Sequence, residues 1–120
     1  MSYIATQVHC ILMKLFPANP FKQVFCEYYI NYKGQKLFFD FYIKSLDVFI
    51  EVQGRQHTEF IKHFHKNKSN FLKQKNRDNL KRIWIEEHNF HLVYIKYTDE
   101  ITEELILTKI KKSMEGNFYE

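Results

Sequence analysis

Two runs dense in aromatic and β-branched residues, KLFFDFYIK (36–44) and DVFIEVQ (47–53), stand almost end to end in the sequence. The KSLD link centred on Leu46 is too short for a crossover, so the two runs are predicted to form an antiparallel hairpin. A third run, QVFCEYYINY (23–32), precedes them across a link around Gly34, which makes the middle of the chain a three-stranded meander. Everything else must fold so as to cover it.

The flanking patterns are helical. Residues 3–16 space Ile4, Val8, Ile11, Leu12 and Leu15 at helical intervals, with Ser2 as N-cap, Pro17 as the stop and a turn at Asn19-Pro20. Residues 55–69 read as a loop with at most one helical turn. From Asn70 to His88 the residues Phe71, Leu72, Leu80, Ile83 and Trp84 share one side, and the polar gap from Lys73 to Asn79 predicts a helix whose middle faces charge or water. HLVYIKYT (91–98) is a strand, free to cross over and lie parallel to an earlier one. TDEITEELILTKIKKSM then gives a helix capped by Thr98 or Asp99, with acids in its first turn and lysines in its last. The order is αβββαβα. A length of 120 residues supplies one core, so residues 1–120 are expected to be a single domain, and 45% hydrophobic content with only three Gly and two Pro favours folding.

Charge is unevenly placed. Between Arg55 and Arg82 nine Lys/Arg face two acids, a local +7, while the rest of the chain carries −3. A basic segment on a mildly acidic body suits a polyanion, and the lack of a continuous apolar face beside it favours nucleic acid over a membrane surface; the blander alternative is a solvated lysine-rich helix face. No stretch approaches 18 apolar residues and no basic leader precedes CILM, so an intracellular, cytoplasmic location is expected. Cys10 and Cys26 have no metal-ligand spacing and are expected to be reduced core residues. His9 is expected to be partly buried, Trp84 and the phenylalanines to belong to the core, and the HxxH of His88 and His91 lacks a third zinc ligand.

Within the hairpin, both strands carry an acid where a core residue is expected, Asp40 in FFDFYI and Glu51 in FIEVQG. Alternation turns Phe49, Glu51 and Gln53 to one face, and counting from the turn at Leu46 brings Asp40 near Glu51. Two close carboxylates do not both stay ionised cheaply unless a cation joins them, and a sparse set of oxygen donors suits Mg²⁺. Gly54 then opens the strand onto Arg55, Gln56 and His57.

FDFYIKSLDVFIEVQGRQH followed by QKNRDNLKRIWIEEHNFHLVYIKYTDE resembles the PD-(D/E)XK nuclease superfamily, in particular its very-short-patch-repair-like, EDxHD homing-endonuclease-like branch. The resemblance covers about 60 residues, and the superfamily core has the αβββαβ order. It implies an α/β, restriction-endonuclease-like fold, a mixed sheet flanked by helices, here with an added C-terminal helix. It further implies that Asp40 and Glu51 bind metal with the Val52 carbonyl, that His57 is the general base or the proton donor to the leaving group, and that Asp78 fixes the His57 tautomer or holds a water near the metal. Gln53 stands where the superfamily often has lysine and this branch often has aspartate; a glutamine cannot act as a base, although it can position water. The branch's first-helix glutamate has no clear counterpart: Gln7 lies near its place and Glu27 is a weak substitute.

The function so implied is Mg²⁺-dependent hydrolysis of DNA phosphodiester bonds, with Mn²⁺ as a substitute metal, by a small endonuclease of phage or mobile-element origin acting on duplex or branched DNA. Arg55, Lys73, Lys75, Arg77 and Lys81 are the expected phosphate contacts, one of the helical bases pairing with Asp78. A homodimer is common in the superfamily. The departures at Gln53 and Gln7 motivate the alternative of a nuclease-fold DNA-binding module without catalysis.

Overall fold

The meander, the crossover helix and the final strand all form. In a computed structural model of the protein, which describes residues 1–54 and 68–116, α1 (Tyr3–Leu15) leads into β1 (Val24–Tyr32), β2 (Gln35–Ile43) and β3 (Val48–Gln53). After them come α2 (Lys68–Glu87), β4 (His91–Lys96) and α3 (Glu103–Met114). The sheet order is β1-β2-β3-β4, antiparallel except for β3 and β4, which run parallel, so the sheet is mixed. The architecture is the expected α/β arrangement with a C-terminal helix.

Local chemistry sets the boundaries. The Ser2 hydroxyl accepts the Ala5 N–H at 3.1 Å and starts α1. Lys33 and Gly34 both adopt left-handed backbone, φ +51° and +78°, as the two-residue turn between β1 and β2 requires. α3 begins later than its sequence suggests, with Thr102 as N-cap accepting the Leu105 N–H at 3.1 Å. Asp99 is diverted from that role: its carboxylate accepts the Lys96 N–H at 2.8 Å and closes the turn after β4.

Two apolar layers sandwich the sheet. On one face Ala5, Val8 and Leu12 of α1 and Ile106 and Ile110 of α3 meet Phe41, Ile43, Val48, Ile50, Val93 and Ile95. On the other, Ile85 of α2 with Leu80 and Trp84 covers Leu37, Phe39, Phe49, Leu92 and Tyr94. Phe49 is the hub of this aromatic layer, its ring centroid 4.3 Å from Tyr42, 4.7 Å from Phe39 and 5.3 Å from Trp84. His9 is half-buried and stacks on Phe41. Two core expectations fail: Cys10 lies on the outward side of α1 and is exposed, and so are Phe21 and Phe38.

Strict alternation would keep Leu37, Phe39, Phe41 and Ile43 on one face of β2. Instead Leu37 and Phe39 join the α2 layer while Phe41 and Ile43 join the α1/α3 layer. β1 switches in step, Val24 and Cys26 on one side and Tyr28 and Ile30 on the other. The switch falls on a single missing rung. The register runs from Val24↔Ile43 to Tyr32↔Gln35 without a shift, yet Glu27 and Asp40 do not pair, and Glu27 has a left-handed φ of +48°. A non-glycine residue in that region is strained and re-aims the strand that follows it.

Candidate active site

The ladder between β2 and β3 also ends here. Phe41 to Ile43 pair with Ile50 to Val48, and the next rung, Asp40 with Glu51, is not a backbone pair. Side chains take over its hydrogen bonds. The Asp40 N–H donates to Glu51 Oε1 at 3.1 Å, and the Val52 N–H donates to Asp40 Oδ2 at 2.7 Å. Each carboxylate thus holds the opposite strand's main chain, and the two acids are fixed side by side where the strands part.

α2 completes the arrangement. Lys81 Nζ donates to Glu51 Oε2 at 3.0 Å, with the two side chains only 13% and 6% exposed, and the same ammonium lies 5.6 Å from the Phe39 ring centroid. Burial pushes the Glu51 carboxyl up to about 7, with the neighbouring Asp40 raising it further and Lys81 pulling it down. Desolvation therefore outweighs the lysine, and the site remains short of positive charge.

Asp40, Glu51, Val52 and Lys81 line a cleft of about 310 Å³ together with Glu27, Phe38 and the start of α1 at Met1, Ser2 and Ala5. Of the two candidates for the first-helix acid, it is Glu27 that reaches this cleft; Gln7 is half-buried in α1. Gln53 ends β3 two residues beyond Glu51, half-buried, and its carbonyl accepts the Tyr97 N–H at 2.8 Å. Asp78 is buried in α2, one turn before Lys81. Lys73, Lys75 and Arg77 are exposed on α2, away from the cleft lining, with Lys75 over the Phe71 ring. Arg55 and His57 lie outside the described residues.

No sequence pattern points to Tyr94. It stands beside Glu51 in the parallel register of β3 and β4, is 7% exposed, and its hydroxyl hydrogen-bonds Arg82. Burial pushes its pKa up against the pull of Arg82, while the charges of Glu51 and Asp78 raise it further, so these four groups share one electrostatic neighbourhood. Only the β3–β4 register and the seat of α2 reveal it. His88 and His91 are not joined: the Nδ1 of the first contacts the Trp84 carbonyl at 2.8 Å, and that of the second contacts the Ser113 carbonyl at 3.2 Å.

The donor set fits a hard divalent cation in kind. It offers two carboxylates and the Val52 main chain around a buried, under-compensated negative charge that already draws in an ammonium. No cluster of three or more His, Cys, Asp or Glu that could hold a metal occurs among the described residues, so such an ion would rest on these few oxygens and solvent.

Comparison with known proteins yields relatives but no family. The chain is 39% identical over 72 residues to uncharacterized protein 307L of Invertebrate iridescent virus 6, covering 60% of this chain and 36% of that protein. It is 41% identical over 66 residues to uncharacterized protein 094L of Frog virus 3, covering 54% and 43%. Uncharacterized protein 033L of Invertebrate iridescent virus 3 is 31% identical over 70 residues, covering 58% and 36%. The chain spans less than half the length of the curated relatives it matches. These relatives are iridovirus proteins, which replaces the phage origin expected from the sequence. No family model and no solved structure matches. No helix among the described residues is long and apolar enough to cross a membrane.

Proposed function

We propose that this chain is a metal-dependent DNA endonuclease that hydrolyses phosphodiester bonds. The observation that carries the reading is the Asp40–Glu51 pair. Two acids on adjacent strands replace a rung of the ladder, each holding the opposite main chain, and both line the cleft beside Lys81. Asp40, Glu51 and the Val52 carbonyl are the groups that would hold the metal. Bound there, Mg²⁺ or Mn²⁺ supplies Lewis-acid polarisation of a phosphoryl oxygen.

The chain's own residues do the rest. Main-chain hydrogen bonds lock both carboxylates, so neither has to reorganise when a phosphate arrives. The Lys81 ammonium offsets charge on the phosphate, a role that Gln53 cannot fill from β3. Lys73, Lys75 and Arg77 give salt-dependent hold on the DNA backbone from the exposed side of α2. Proton transfer falls to His57, on the strength of the family resemblance.

The test is digestion of plasmid, nicked, flap, junction and single-stranded DNA with Mg²⁺ or Mn²⁺. Cleavage is expected, falling roughly a thousandfold in Asp40→Ala while DNA binding persists. Absence of cleavage with either metal, with binding unchanged or stronger in Asp40→Ala, favours instead a nuclease-fold DNA-binding module. The neutral Gln53 and the small donor set among the described residues are what motivate that second reading.

A further inference from the structure

Oε2 of Glu51 is already engaged. Lys81 holds it at 3.0 Å from inside the cleft, and the other oxygen, Oε1, is committed to the Asp40 N–H. A second cation at contact distance from the same carboxylate would stand within a few ångströms of the ammonium. Two cations a few ångströms apart in a partly buried site repel each other strongly, and more so if one is divalent. The two cations therefore exclude each other at Glu51. Lys81 is the one that can leave: its ammonium is a point charge on a flexible four-carbon stem, and it lines a cleft of about 310 Å³.

We propose that Lys81 is the resident counter-ion of Glu51, displaced when a divalent cation binds Asp40 and Glu51, so that loading the site and freeing the lysine ammonium into the cleft are one event. This rests on the metal-dependent reading above. The exchange keeps a cation beside Glu51 at every stage and withholds the ammonium from phosphate until the site is loaded. A polyanion that meets the empty protein finds the exposed α2 cations but not Lys81.

Lys81 accessibility tests the exchange without any DNA. The wild-type chain is treated with an amine-acetylating reagent across a Mg²⁺ titration, the rates at individual lysines are read by mass spectrometry, and Mg²⁺ binding is followed in parallel by calorimetry. The acetylation rate of Lys81 is expected to rise about tenfold at saturating Mg²⁺, the signature of a shift of about 1.4 kcal/mol in its open population, while exposed Lys73 stays unchanged. In Glu51→Gln the rate is expected to be high without metal and insensitive to it. Binding heat with an unchanged Lys81 rate overturns the exchange and leaves the metal-dependent reading standing. Absence of binding heat at any concentration, together with an unchanged Lys81 rate, overturns both.

Discussion

The two ends of the β2–β3 hairpin are built from the same kinds of residue and behave as opposites. At the turn end, Phe41 to Ile43 pair by backbone with Val48 to Ile50, and the side chains between them are almost all apolar and fully buried. At the far end the backbones part and carboxylates stand in for the missing bonds. One end stores stability and the other gives some of it up to hold charge in a dry place. Helices close over both faces of this hairpin, α1 and α3 over one and α2 over the other.

The contrast can be broken first at the turn end. Phe49→Ala removes the ring on which Tyr42, Phe39, Trp84, Tyr28 and Phe90 converge. A loss of about 3–5 kcal/mol is expected in urea unfolding. At the far end the largest effect depends on pH. The Glu51 carboxyl titrates near 7 in the folded chain against an ordinary 4.5. Between those values the folded state binds more protons than the unfolded one, so stability falls as pH rises through that window and levels off above it. Relative to Glu51→Gln, the wild type is expected to lose about 3 kcal/mol between pH ~4 and pH ~8. Parallel pH profiles for the two proteins would remove the asymmetry between the ends. The smallest effect returns to the turn, where the Tyr42 hydroxyl donates to Asp47 at 2.8 Å in an exposed setting. Tyr42→Phe is expected to lower the urea midpoint by the equivalent of about 0.5–1 kcal/mol, with no change at the cleft.

Much of this was legible from the chain alone. The hairpin, its register and the nearness of Asp40 to Glu51 follow from the shortness of KSLD, because a tight link leaves no freedom in how its strands pair. The seat of α2 was not legible. Its apolar residues are sparse, only Asp78 and Ile85 are buried, and no local pattern says that Lys81 comes down on Glu51 rather than turning to solvent. By spacing alone Lys81 is one phosphate contact among several, and its contact with Glu51 depends on how a helix docks across the sheet. The backbone of Glu27 was hidden for another reason. Propensity gives no warning of a glutamate at φ +48° inside a strand, since tertiary packing imposes it.

The missing rung between Glu27 and Asp40 has a mechanical consequence. Because β1 and β2 trade inside for outside at that point, each is threaded through the sheet like a stitch, anchored by Val24 and Ile43 on one side and by Ile30 and Leu37 on the other. A stitched strand cannot peel away with one layer of helices while the other stays closed. The acids sit at the crossing of the thread, where loosening either layer would pull on both.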